Sequence, residues 1–139
     1  MKYNYNDGGR ALAGYEGKAR DCVCRAISIT TQLPYQQIYD KLCEINKQTH
    51  GKSSARDGIL TKSPLFKKFM YELGFTWVAT MRIGQGCKVH LREGEVPMGR
   101  IICSVSRHYV AVIDGVVNDI FNPTRNGNRC VYGYWTLAR

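Results

Sequence analysis

Runs with helical spacing fill the first half of the chain and short alternating runs fill the second, an order that predicts an α+β fold with N-terminal helices packed on an antiparallel sheet. Two further observations support that reading. Glycine, proline and Asp-Gly turn signals separate the later runs into strand lengths. The chain is 139 residues long and shows neither an internal repeat nor a low-complexity tract, so a single domain over 1–139 is expected.

Taken in order, residues 1 to 20 are rich in Gly, Asn and Tyr and lack periodicity, which suggests an extended or looped lead-in. Asp21 then has the chemistry of an N-cap, since a carboxylate can accept hydrogen bonds from the first free N–H groups of a helix. In the helix that follows, Cys22, Val23, Ala26, Ile27, Ile29 and Thr30 cover most of the circumference, as in a helix enclosed on all sides. Arg25 and Ser28 are its clearly polar interior positions.

Thr31-Gln32-Leu33-Pro34 opens a second helix reaching about Thr49, with Tyr35, Ile38, Tyr39, Leu42 and Ile45 on one face. The polar run from His50 to Gly58 is expected to be an exposed, mobile loop. Ser63-Pro64 starts a third helix, Leu65 to Leu73, and Gly74 suits its C′ position because glycine tolerates positive φ. Strands are expected at Phe75 to Ile83, Lys88 to Arg92, Arg100 to Val105, His108 to Ile113, Val116 to Phe121 and Cys130 to Leu137.

Composition narrows the functional classes. No segment approaches the ~20 apolar residues that span a bilayer, so no membrane partner is expected. The first ten residues lack the apolar run of a secretory signal, which points to a cytoplasmic location. Cysteines at 22, 24, 43, 87, 103 and 130 are then expected to be reduced, several of them as small buried apolar residues. A net charge of +9 favours polyanionic partners and keeps nucleic acid as a partner class, although the basic residues are scattered.

The chemistry centres on two blocks. Asp114-Gly115 fits a two-residue type I′ hairpin, which makes Ile113 face Val116 and, counting outward, places Val110 opposite Asp119 and His108 opposite Phe121. His108 and Asp119 are then diagonal neighbours on one face, with roughly 7 to 8 Å between their backbones and a carboxylate within reach of the imidazole. Asn118 and Asn122 fall on the other face; a one-residue bulge would exchange the assignments, which makes Asn122 the second candidate to orient the histidine.

A thiol is mostly protonated at neutral pH, and becomes nucleophilic when a helix N-terminus or an imidazolium favours its thiolate. Cys22 is the first helical residue after Asp21; Cys24 lies about 200° further round, so both cannot face one histidine. Taken singly, a cysteine in an apolar helix is usually packing, and a histidine at a strand start is usually a solvated polar residue. A helix-start cysteine, a strand histidine and a same-face acid together form a nucleophile, a base and an orienting group. A zinc site from Cys22, Cys24, Cys87 and His90 lacks paired ligand spacing, and Gly84-Gln85-Gly86 has the character of a tight turn, so no cofactor is expected.

The stretch Asp21-Cys22-Val23-Cys24-Arg25-Ala26-Ile27 and the run from His108 to Asp119 resemble the papain-like cysteine peptidase superfamily in its small bacterial and phage forms. The first block is similar to the Asp-Cys-Val-Val-Arg-Ala helix of uncharacterised phage proteins, and the likeness covers about thirty residues. It implies a papain-like fold with Cys22 as nucleophile, His108 as general base and Asp119 as its orienting residue. The implied activity is that of a cysteine hydrolase of peptidase or isopeptidase type on a protein or peptide substrate, encoded by a phage and acting in the host cytoplasm. Papain relatives commonly carry a Gln several residues before the Cys; Glu16 occupies that neighbourhood here, so an oxyanion would fall to backbone N–H groups or to Asn4 or Asn6. The competing expectation is an inert fold that binds nucleic acid or an acidic host protein through its basic surface.

Overall fold

The protein is described by a computed structural model covering residues 1–17, 20–50 and 59–138. Three helices, α1 (Cys22–Thr31), α2 (Tyr35–His50) and α3 (Pro64–Glu72), accompany six strands. The strands are β1 (Lys2–Tyr5), β2 (Phe75–Ala79), β3 (Arg100–Val105), β4 (His108–Ile113), β5 (Val116–Asp119) and β6 (Gly133–Leu137). They form one sheet in the order β1-β5-β4-β3-β6-β2. The architecture is α+β.

The sheet is mixed, a departure from the antiparallel expectation. β1 runs parallel to β5, pairing Lys2 with Val116 and Tyr5 with Asp119, while the other neighbours are antiparallel. All four residues of β1 are exposed, so its sequence carries no buried alternation to announce a strand. Three strands are shorter than their runs suggested: β2 stops at Ala79, β5 at Asp119, and β6 begins at Gly133. The run from Lys88 to Arg92 is not a strand, although His90 forms an isolated bridge with Cys130. Its alternation has another cause, because Leu91 is buried against the sheet. Apart from His50, which ends α2, the polar loop of residues 50 to 58 lies outside the described residues.

Apolar residues on the two sides of the sheet explain its position. α1 lies on β4, β3 and β5, and its buried Val23, Ala26, Ile27 and Ile29 join Ile102, Tyr109, Ala111 and Trp135 beneath α2 and α3. The alternate residues Ile101, Cys103, Val110, Val112 and Val117 form a second cluster, covered by Leu91, Val96 and Val131 from irregular segments. Burial on both faces accounts for the nearly continuous apolar character of β3 and β4. Every residue of α1 from Val23 to Thr30 is buried, as an enclosed helix requires.

Two connections fix the frame. Asp114 (φ 48°) and Gly115 (φ 80°) form the tight turn between β4 and β5, giving the register Ile113↔Val116, Val112↔Val117 and Ala111↔Asn118. A Cβ on Gly133 would lie 2.2 Å from the Trp77 ring, so this position in β6 admits only glycine beneath the indole.

The expectation that all cysteines are reduced is corrected at one pair. Cys87 and Cys130 form a disulfide with Cα atoms 5.9 Å apart. The His90–Cys130 bridge and the Val131-to-Val89 backbone hydrogen bond bring these remote residues together, an approach that spacing along the chain does not reveal.

Candidate active site

The thiol, the imidazole and the carboxylate named from the sequence meet at one edge of α1. Cys22 is the first residue of that helix, and His108 and Asp119 stand at the start of β4 and the end of β5. The β4–β5 ladder ends at Ala111↔Asn118, so both side chains lie beyond its last pair. His108 Nε2 is 2.6 Å from Asp119 Oδ2, and the His108 ring lies 5.2 Å from that of Phe121 across the hairpin. With Nε2 engaged by the carboxylate, Nδ1 is the nitrogen left to serve the Cys22 thiol, which lines the same depression as the ring and responds to its charge.

This contact shifts both groups toward their charged forms. Burial alone would push the Cys22 thiol up, but hydrogen bonding to His108 and its charge, the Tyr109 backbone and the Arg25 charge bring it below its ordinary value. Burial would likewise lower His108; the Asp119 hydrogen bond, followed by the Cys22 hydrogen bond and charge, raises it to about 9. Cys24 behaves oppositely. Burial and the Asp21 charge push its thiol up to about 12, and its sulfur is 3.7 Å from the Tyr35 carbonyl oxygen.

Asp21 has a different role from the expected N-cap, since its side chain makes no capping hydrogen bond to α1. Instead its carboxylate is buried among groups from three parts of the chain. Arg25 Nη1, one turn along α1, hydrogen-bonds to Oδ1; Tyr35 Oη donates to Oδ2 at 2.7 Å, and Arg10 Nε lies 3.1 Å from Oδ2. The second arm of Arg25 reaches Asp119 Oδ1 at 3.5 Å, and the Ile120 N–H also donates to that oxygen at 2.8 Å.

A connected cluster results, with the Asp21 and Asp119 carboxylates facing Arg10, Arg25 and the His108 ring beside Cys22. The two carboxylates balance the two guanidinium groups, so Cys22 and His108 can pass a proton between them without changing the net charge of the cluster. Arg25 was visible as the one charge inside an apolar helix, and its i,i+4 spacing from Asp21 was the signal of their pairing. Arg10 and Tyr35 gave no comparable signal.

The remaining candidates are engaged elsewhere. Asn4 and Asn6 donate their side-chain amides to Asn118 Oδ1 at 2.9 and 3.3 Å, and Asn122 Oδ1 accepts hydrogen bonds from the backbone and hydroxyl of Thr124. Glu16 is exposed, with its backbone oxygen accepting from Arg10. Cys87 is held in the disulfide instead of standing with Cys22 and Cys24 as a metal ligand.

A depression of about 760 Å³ opens beside Cys22 and His108. Ile59, Thr61 and Phe121 contribute to its walls, with Arg20 and Arg107 at its rim. No family model matches the chain, and neither a curated protein nor a solved structure does.

Proposed function

We propose that this protein is a papain-like cysteine hydrolase of peptidase or isopeptidase type, with Cys22 as nucleophile, His108 as acid–base and Asp119 as the group that orients the ring. The observation supporting this reading is that Cys22, the first residue of a buried helix, shares one depression with His108, whose Nε2 is 2.6 Å from the Asp119 carboxylate. A helix start favours the thiolate, and a carboxylate on Nε2 favours the imidazolium that accompanies it. The substrate is a protein or peptide, and its encoding by a phage with action on a host protein belongs to the same proposal.

In the reaction, the Cys22 thiolate attacks the carbonyl carbon and the carbonyl π electrons move onto oxygen. His108 gives its proton to the leaving amine as the C–N bond breaks, leaving a thioester on Cys22. Neutral His108 then takes a proton from water as the water attacks the thioester; collapse of that intermediate releases the acid and restores the ion pair. Because Asn4 and Asn6 spend their amides on Asn118, the developing oxyanion is left to backbone N–H groups, of which those at the start of α1 are nearest the nucleophile.

Iodoacetamide labelling followed over pH, with mass mapping of the modified cysteine, tests the nucleophile. Cys22 is expected to label selectively below the ordinary thiol range, with that profile moving upward in His108→Ala and unchanged in Cys24→Ala. Incubation with peptide p-nitrophenyl esters is expected to leave an acyl adduct on Cys22. Labelling that persists in Cys22→Ala, or a Cys22 profile indifferent to His108, would count for an inert fold.

A further inference from the structure

The depression beside Cys22 continues into a second one of about 640 Å³, and Thr61, Ser104 and Tyr109 line both. The second has an aromatic lining that includes Trp77, Trp135, Tyr71 and Tyr132. Met81 and Ile83 complete its apolar side, and Ile83 is fully exposed. Trp135 is buried and Trp77 partly so, but Tyr71, Tyr132, Met81 and Ile83 remain exposed beside them, and such grouping around a concave surface marks a place where something binds.

Apart from the Cys22–His108 pair and Arg25, which is matched by Asp21 and Asp119, the charged residues lining these two depressions have one sign. Lys62, Lys67 and Arg82 border the aromatic depression; Arg20 and Arg107 border the one at Cys22. No Asp or Glu lines either part among the described residues, and none of these five cations forms an ion pair with another described residue. An array of unpaired cations along low-dielectric walls raises the local concentration of anions and steers them inward.

We propose that the groove binds an acidic polypeptide segment in extended form, seating an aromatic or large aliphatic side chain in the Trp77–Trp135 depression and carboxylates against the flanking lysines and arginines. This names the substrate class for the hydrolase reading and rests on it for the identification of the groove as a substrate site. Charge complementarity selects the acidic partner, and the apolar floor requires a side chain that buries carbon. A polypeptide fits better than a nucleic acid because the reactive centre at one end is a thiol and imidazole, suited to a carbonyl carbon.

Binding by Cys22→Ala, which cannot form a covalent adduct at that position, tests the proposal apart from catalysis. The probes are two fluorescein-labelled degenerate peptide pools: one with Asp or Glu alternating with Phe, Tyr or Leu, the other with Asn or Gln at the acidic positions. A single-stranded oligonucleotide of equal charge completes the set. The acidic pool is expected to bind about tenfold more tightly than its amide counterpart, and to weaken steeply as salt rises from about 50 to about 300 mM. Lys67→Glu with Arg82→Glu should abolish that preference while circular dichroism stays native. Equal binding of the two pools, or tight oligonucleotide binding with no peptide preference, would overturn it. Failure of the hydrolase reading registers separately, in the pH dependence of Cys22 alkylation in the unmutated protein.

Discussion

His108 stands between groups of opposite demand, the Asp119 carboxylate on Nε2, which favours the imidazolium, and the Cys22 thiol, whose thiolate that cation would favour. Between the lowered Cys22 value and about 9 for His108 the ion pair persists; above that range the imidazolium deprotonates and below it the thiolate takes up a proton. Turnover is therefore expected to rise as pH increases through the Cys22 transition and to fall near pH 9, measured as kcat/KM on a peptide ester. Asp119→Asn removes the largest contribution that raises His108, so its basic limb should move to lower pH. A loss of roughly a hundredfold in kcat is expected from the misoriented ring. An unchanged basic limb would show that Asp119 acts only in packing. The pairing of His108 with Asp119 was legible because an Asp-Gly turn fixes register by counting. The role of Asp21 was not: an acid before a helix looks the same in sequence whether its carboxylate caps that helix or turns toward Arg10 and Tyr35.

The helix α1 combines two requirements that ordinarily conflict, complete burial and a charged interior. Arg25 resolves this by neutralising two buried carboxylates, Asp21 and Asp119, which belong to the helix start and to β5. Removing it in Arg25→Ala leaves both under-compensated and is expected to cost about 3 to 5 kcal/mol, read from the midpoint of urea unfolding. Arg25→Lys should recover little, since a single ammonium cannot present two arms. If the lysine variant were as stable as the native chain, a bridge between two acids would not be the function of this residue. At the sheet, Gly133→Ala drives a methyl group into the Trp77 ring and should destabilise by about 1 to 3 kcal/mol. The same substitution should disturb the aromatic depression that Trp77 lines. Helices announce themselves through periodicity when they are amphipathic, as α2 is, or enclosed, as α1 is. Strand β1 is an exposed edge whose pairing comes from backbone hydrogen bonds to β5, so its side chains carried no sign of it.

Across the whole molecule, the segment between β2 and β3 joins the far face of the sheet to the groove. It supplies Leu91 and Val96 to the second core cluster and Met81, Arg82 and Ile83 to the aromatic depression. That segment has little regular structure, and the Cys87–Cys130 disulfide anchors it to the chain entering β6. Composition could count six cysteines but not reveal that these two approach, since the closure depends on the bridge and hydrogen bonds beside them. With the partners 43 positions apart along the chain, the crosslink removes chain entropy from the unfolded state and is expected to contribute roughly 3 to 4 kcal/mol. The double variant Cys87→Ser with Cys130→Ser should therefore unfold at lower urea concentration, and the native protein under reducing conditions should match it. Neither sulfur lines the depression at Cys22, so the pH profile of Cys22 alkylation should be retained while binding of the acidic peptide pool weakens. Loss of the alkylation profile together with peptide binding would mean that this segment supports the whole site instead of shaping one end of the groove.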